Sequence, residues 1–128
     1  MYKGTDTRTD LMTDFKALPS ACPDLLPTGG VVHVGFLTAF RSSWPQVAAI
    51  LEAHAARRGL TVADLHVTVC GHSLGAAQAT LAALQMAHLA ASPDQVRLAT
   101  FGSPRVFCHT GAAYFDSLGL GEIGRAHV

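Results

Sequence analysis

The stretch Val67-Thr68-Val69-Cys70-Gly71-His72-Ser73-Leu74-Gly75-Ala76 joins two runs of different periodicity. Residues 65–70 alternate apolar with polar side chains, which predicts a β-strand. Residues 74–91 are apolar and rich in alanine, which predicts a buried helix that stops before Pro93. The G-x-S-x-G motif between them, residues 71–75, therefore falls at a tight strand-to-helix turn, which we call the elbow.

The elbow has the residue types that a serine nucleophile needs. A tight turn strains the backbone of its central residue, here Ser73, and exposes the hydroxyl. Gly71 and Gly75 press against the same turn, where a Cβ would clash. The N–H of Leu74, at the helix N-terminus, is the expected donor to a developing oxyanion. An ordinary turn is the alternative, but the strand before and the helix after favour catalysis, and His72 is interpreted as a structural elbow residue.

Outward from the elbow, strands alternate with helices. The pattern predicts strands over residues 31–34, 96–101 and 122–128, and helices over 5–15 and 111–118. Residues 35–58 are expected to be helical in two pieces, broken at Trp44-Pro45, and the proline-rich residues 19–30 to be a loop. This order predicts an α/β fold, a mostly parallel sheet with helices on both faces and ligand chemistry at the carboxyl ends of its strands.

Composition excludes several classes of protein. The 128 residues fit one domain at most, and 49% are apolar, enough for a core. Nine basic and nine acidic side chains leave no electrostatic footprint for nucleic acid or an anionic membrane, and the apolar run 74–91 is too often interrupted by polar residues to span one.

The cysteines and the N-terminus bear on cofactors and location. Cys22, Cys70 and Cys108 are too scattered for a disulfide framework or a C-x-x-C site, and no H-E-x-x-H pair is present, so neither a metal nor another cofactor is predicted. The polar first six residues contain no signal peptide, and an odd cysteine count favours a reducing, cytoplasmic compartment slightly.

Four blocks in order resemble the class 3 lipases, the fungal-lipase-type branch of the α/β-hydrolase fold. Tyr2-Lys3-Gly4-Thr5 resembles the F-R-G-[TS] block, and Val32-His33-Val34-Gly35-Phe36 resembles H-x-G-F. The elbow with its strand is the third block, and Leu98-Ala99-Thr100-Phe101-Gly102-Ser103-Pro104-Arg105-Val106 resembles T-F-G-x-P-R-V. Together the blocks span nearly the whole chain.

The resemblance implies roles for individual residues. Ser73 would be the nucleophile, and Thr5 would join Leu74 in the oxyanion hole. Residues 7–14 would match an amphipathic lid suited to a lipid or ester substrate at a lipid–water interface, with a fixed surface helix as the alternative. The chain departs from the family at Lys3, which replaces an arginine, and after Val106, where Phe107-Cys108-His109 replaces G-N.

The resemblance places the catalytic acid just beyond Val128 and the catalytic histidine further on, since α/β-hydrolases order the triad Ser, acid, His. Asp94 and Glu122 precede their strands, at the wrong end of the sheet, and Asp116 lies on a helix. His127 lies within the strand that should deliver the acid, and His33 is interpreted as a hydrogen-bonded structural residue. We therefore expect residues 1–128 to be a partial lipase domain, truncated at both ends and inactive alone.

The predicted function is a serine carboxylic-ester hydrolase of lipid metabolism, a triacylglycerol lipase or esterase acting through an acyl-Ser73 intermediate. Two alternatives stay open. One is a non-catalytic lipase-like scaffold or an inactive fragment, and the other is an acyltransferase or thioesterase on the same fold.

Overall fold

The structure, a computed structural model, describes residues 19–103 and 106–127. Its centre is a three-stranded parallel sheet of β3 (Val67–His72), β4 (Val96–Ser103) and β5 (Gly121–His127), which lie side by side in chain order. Val67 lies opposite Val96 and His72 opposite Phe101, while β5 follows β4 with two irregularities in register. The predicted strands at 65–70, 96–101 and 122–128 are confirmed, each with slightly shifted ends.

Residues 19–103 and 106–127 form three α-helices, which precede or connect the strands of this sheet. They are α1 (Val34–Arg57), α2 (Leu74–Leu89) and α3 (His109–Ser117). Single 3₁₀ turns, Val62–Asp64 and Pro93–Gln95, lead into β3 and β4. The predicted break at Trp44-Pro45 is wrong, because α1 is one continuous helix with Pro45 inside it.

A second, two-stranded sheet lies beside the first. β1 (Pro19–Ala21) pairs antiparallel with β2 (Val31–His33), and Val32 also bridges to Phe107 in the segment after β4. The prediction of a loop over all of residues 19–30 is therefore wrong at its start, and β2 is not a member of the parallel sheet. Burial explains this arrangement, because Cys22, Leu25 and Leu26 contribute to the core from the turn between the two strands.

Helix α2 is the crossover between β3 and β4 and is buried along most of its length. Alanines line it, so that its backbone can lie close to the two strands on one side and to α1 on the other. Val96, Leu98 and Thr100 of β4 face this core. The opposite face of the sheet carries exposed side chains, Thr68, His72, Arg97 and Phe101.

The amino ends of β3 and β4 are held together by Gln95. Its amide nitrogen donates to the carbonyls of Ala63 and Leu65, both at 2.9 Å, and its side-chain oxygen accepts the Ser92 N–H at 2.9 Å. This tie aligns the two strands where they begin. Because the strands are parallel, their carboxyl ends also meet, and the elbow lies at that end of the sheet.

Candidate active site

Ser73 lies between the last residue of β3 and the first residue of α2 in a strained backbone conformation. Its φ is +56° and its ψ is −121°, and it is the one non-glycine residue with positive φ in the part of the chain that the structure describes. Such a conformation costs on the order of 1–3 kcal/mol, so the surrounding contacts must enforce it. The tight strand-to-helix turn predicted from the motif is thus present.

Gly71 is required by the closeness of this turn. A Cβ at Gly71 would overlap the carbonyl of Gly75 and lie 2.8 Å from the backbone nitrogen of Ala76. The φ of Gly71 is not in the left-handed region, so the requirement is one of space alone. The clash expected from the motif is confirmed at this position.

Backbone hydrogen bonds tie the elbow to its neighbours. The N–H of Ser73 donates to the carbonyl of Phe101 on β4 at 2.8 Å, and the N–H of Ala76 donates to the carbonyl of Ser73 at 3.0 Å. One turn further, the Thr80 hydroxyl donates to the carbonyl of Ala76 at 2.8 Å. The position of Ser73 is thereby fixed relative to both β4 and α2.

The surroundings of the Ser73 hydroxyl suit an anionic intermediate. The prediction that the elbow exposes this hydroxyl is wrong, because only 4% of Ser73 is exposed. Charges beside it are therefore weakly screened by water. Leu74 is the first residue of α2, and its N–H belongs to the amides at a helix N-terminus that have no intrahelical acceptor. The first turn of α2 carries no acidic side chain to offset this positive end.

The candidate acids lie away from the elbow, as predicted. Asp94 is in the 3₁₀ turn before β4, and Glu122 is the second residue of β5, so both are at the amino end of the parallel sheet. Asp116 is exposed near the end of α3.

The histidines occupy different parts of the fold. His72 is exposed beside Phe101, on the outer face of the sheet, whereas the backbone of His127 lies opposite Ser103 at the carboxyl end of β5. The ring of His33 is 4.8 Å from that of Phe36, and its burial lowers the pKa of His33 below the ordinary value. The ring contact with Phe36 supports a structural role for His33.

Several predicted features fall outside the described residues. These are the predicted helix over residues 5–15, Thr5 and its block, the lid candidate at residues 7–14, and Pro104 and Arg105. The part played by the Phe101 carbonyl was not predicted. The pairing of β4 with β3 could have indicated it. β4 continues alongside the end of β3, so one of its carbonyls accepts the amide that follows His72.

A mostly apolar groove of about 420 Å³ lies between α1, α2 and the edge of β3. Its walls include Trp44, Leu51, Val69 and Met86, and none of its lining residues belongs to the elbow. The groove therefore follows the edge of the sheet and does not open at Ser73.

Metal-binding clusters and membrane-spanning helices are both absent from the described residues. Among residues 19–103 and 106–127, no group of three or more His, Cys, Asp or Glu side chains is arranged to hold a metal ion. Within the same residues, no helix has the length and apolar character needed to cross a membrane.

Comparison with known proteins places this geometry in a family. The family model for lipase (class 3) matches residues 1–123. The lipase of Rhizopus niveus is 33% identical over 127 residues, which cover 94% of this chain and 30% of that protein. Secreted mono- and diacylglycerol lipase 1 of Fusarium solani is 36% identical over 104 residues, covering 81% of this chain and 28% of that protein.

Solved structures agree with the sequence comparison. Lipase II from Rhizopus niveus matches with a TM-score of 0.74 at 28% identity, over 95% of this chain and 45% of that one. A triacylglycerol lipase whose catalytic centre is formed by a serine protease triad matches with a TM-score of 0.75 at 28% identity, over 93% of this chain and 43% of that one. The predicted α/β-hydrolase-type fold is confirmed, and the chain spans about 30% of the length of the curated relatives it matches.

Proposed function

The chain belongs to the class 3 lipase family, and on this premise we propose that the whole protein is a serine ester hydrolase that acts on acylglycerols or related lipid esters. The observation that carries the proposal is Ser73, held at φ +56° between β3 and α2 with the helix N-terminus beside it. The names of the relatives, a mono- and diacylglycerol lipase and a triacylglycerol lipase, support the substrate class.

In the proposed reaction Ser73 is the nucleophile. A general base takes the proton of the hydroxyl while Oγ attacks the ester carbonyl carbon, and the carbonyl oxygen becomes an oxyanion. The N–H of Leu74 and a group of Thr5 donate to this oxyanion, and each such donor contributes about 3–4 kcal/mol of transition-state stabilisation. The intermediate releases the alcohol, which takes up the proton, and water then hydrolyses the acyl-Ser73 ester.

The acid and base of this mechanism are proposed to lie outside residues 19–127. Support comes from the positions of Asp94 and Glu122 at the amino end of the sheet and of Asp116 on α3. The same positions lead us to propose that residues 1–128 are one part of a single lipase domain. Residues 7–14 are proposed as its lid over a lipid–water interface.

Labelling with a fluorophosphonate tests the assignment of Ser73. The full-length protein should be labelled at Ser73, and Ser73→Ala should abolish both labelling and hydrolysis of a short acyl ester. Ser42→Ala is the matched control, because Ser42 is an exposed serine on α1 that donates to the Ala39 carbonyl at 2.9 Å. Equal hydrolysis by Ser73→Ala and the parent protein would show that another residue is the nucleophile.

A non-catalytic lipase-like scaffold is the second candidate. It is favoured by the same observation that Asp94 lies at the amino end of the sheet and Asp116 near the end of α3. The two candidates differ in the full-length protein, where a scaffold would bind its partner but react with the fluorophosphonate no faster than Ser73→Ala does. Reading the gene downstream of Val128 separates them further, since the enzyme needs an Asp followed by a His in that order.

A further inference from the structure

Two of the three cysteines lie at one junction, between the small sheet and the start of α3. Cys108 is the residue before α3, and it is joined to Val31 of β2 by two hydrogen bonds. Its N–H donates to the Val31 carbonyl at 3.1 Å, and the Val31 N–H donates to the Cys108 Sγ at 3.1 Å. The sulfur is therefore held against the end of β2.

Cys22 reaches the same place from the other strand. Ala21, the last residue of β1, lies opposite Val31, so Cys22 follows directly after the partner of the residue that is bonded to Cys108. A Cβ built on Gly30 would lie only 3.4 Å from the Cys108 Sγ. The same Cβ would lie 2.8 Å from the Gly111 nitrogen, so the lack of a side chain at Gly30 lets the first turn of α3, with Cys108 before it, approach the small sheet closely.

Packing contacts join the turn after β1 to the start of α3 at this junction. Leu26, whose N–H donates to the Cys22 carbonyl at 2.8 Å, packs with its methyl group against Gly111 in the first turn of α3. Cys22 itself is 1% exposed, whereas Cys108 is half-buried. A solute can therefore reach Cys108, whereas Cys22 is enclosed in the core.

The two thiols differ in acidity. Hydrogen bonds from the N–H groups of Gly111 and Val31 hold the pKa of Cys108 below its ordinary value. Burial, followed by the nearby charges of Asp24 and Cys108, raises the pKa of Cys22. This is the division found between an attacking thiolate and a resolving thiol.

We propose that Cys22 and Cys108 form a reversible disulfide, which ties the turn after β1 to the start of α3. The oxidant is a low-molecular-weight disulfide such as oxidised glutathione. The Cys108 thiolate attacks one of its sulfurs and releases one small thiol, and Cys22 then loses its proton and attacks Cys108 Sγ, which releases the second. Two protein thiols are oxidised by two electrons, and one small disulfide is reduced to two thiols.

Peptide mapping tests the pairing directly, because trypsin separates the cysteines into residues 17–41, 59–97 and 106–125. The folded, reduced full-length protein is incubated with oxidised glutathione, alkylated and digested without reductant. The expected product links 17–41 to 106–125, with a loss of about 2 Da from the two peptides, while 59–97 carries the alkyl group on Cys70. Dithiothreitol should reverse the link.

The variants assign the roles. Cys22→Ser should stop at a glutathione mixed disulfide on Cys108, and Cys108→Ser should leave Cys22 unmodified. Cys70→Ser, the control, should still form the link, since Cys70 lies on β3 in the other sheet. Three results would overturn the proposal. Glutathione could accumulate on Cys108 of the parent protein without the link. The link could form only in denaturant, or it could form equally with Cys70.

Thermal unfolding gives a second measurement that needs no substitution. A bond between positions so distant in sequence should raise the Tm of the oxidised protein by roughly 5–10 °C over the reduced form. Linked peptides together with an unchanged or lowered Tm would contradict the inference that the native junction accommodates the bond without strain. None of these measurements depends on the hydrolase activity, so the failure of either proposal can be recognised by itself.

Discussion

At the scale of single residues, the elbow shows how a strained conformation is maintained. Ser73 would relax from φ +56° if its neighbours allowed it, but its N–H is bonded to Phe101 and its carbonyl to Ala76. Gly71 supplies the space in which these bonds can form at the same time. The strain at Ser73 is therefore sustained by contacts that belong to β4 and α2.

Gly71→Ala should destabilise the protein and lower labelling of Ser73. The added Cβ would overlap the Gly75 carbonyl, and overpacking of this kind costs about 1–3 kcal/mol or more. The backbone must shift to relieve the clash, and the shift moves Ser73. Urea unfolding and the rate of fluorophosphonate labelling measure the two effects.

Gly59→Ala is the control for that experiment. Gly59 has a φ of +71°, but a Cβ there would contact nothing within 4 Å. Its cost should be about 1–2 kcal/mol from the backbone conformation alone, without any change in labelling. If Gly71→Ala were labelled as fast as the parent protein, the close packing of the elbow would not position Ser73.

At the scale of elements, the sequence predicted what local patterns determine. The strand, turn and helix around Ser73 followed from alternation, from glycine spacing and from the alanine-rich run, and the structure has all three. Helix α1 was expected to break at Trp44-Pro45 because proline is suited to the first turn of a new helix. It continues because Leu37, Phe40 and Trp44 are held in or against the core, with the last two rings 5.5 Å apart.

The small sheet of β1 and β2 could not be predicted either, because it also depends on contacts between residues distant in sequence. β1 and β2 are three residues each, and the segment between them is rich in proline and glycine, which is typical of a loop. Their pairing depends on partners distant in sequence, such as the bridge from Val32 to Phe107. Contacts of that kind leave no periodic signal in the strands themselves.

The 3₁₀ turn before β3 makes the stability of the fold depend on pH. Asp64 accepts hydrogen bonds from the Thr61 N–H at 2.9 Å and the Thr61 hydroxyl at 3.0 Å, and these hold the pKa of Asp64 below its ordinary value. Because the folded pKa is below the unfolded one, the ionised carboxylate stabilises the fold above about pH 4. This contribution should be lost as the pH falls through the folded pKa.

Asp64→Asn should therefore lower stability at neutral pH, and its difference from the parent protein should shrink under acid. Denaturant unfolding at several pH values measures that difference. Thr61→Ala is the companion variant, because removing the hydroxyl should raise the midpoint of the Asp64 titration in carboxyl NMR. A stability difference that stays constant across the acid range would contradict a role for the charge.

At the scale of the whole molecule, the parallel sheet has two unlike faces. One face packs on α2 and contains Val96, Leu98 and Thr100. The other carries Thr68, His72, Arg97 and Phe101, all exposed. Parallel sheets are normally covered on both faces. In water, side chains on the exposed face of this chain should therefore contribute less to stability than those on the face that packs on α2.

A matched pair of substitutions compares the exposed face with the core. Phe101 is 48% exposed on the outer face, whereas Phe115 is 4% exposed and its ring lies 5.3 Å from that of Phe107. In residues 1–128 expressed alone, Phe115→Ser should cost about 3–5 kcal/mol, and Phe101→Ser less than about 1 kcal/mol. Phe101→Ser should also slow aggregation, since it removes an exposed aromatic ring. Urea unfolding and light scattering measure these effects, and equal losses of stability would mean that the ring of Phe101 is as deeply packed as that of Phe115.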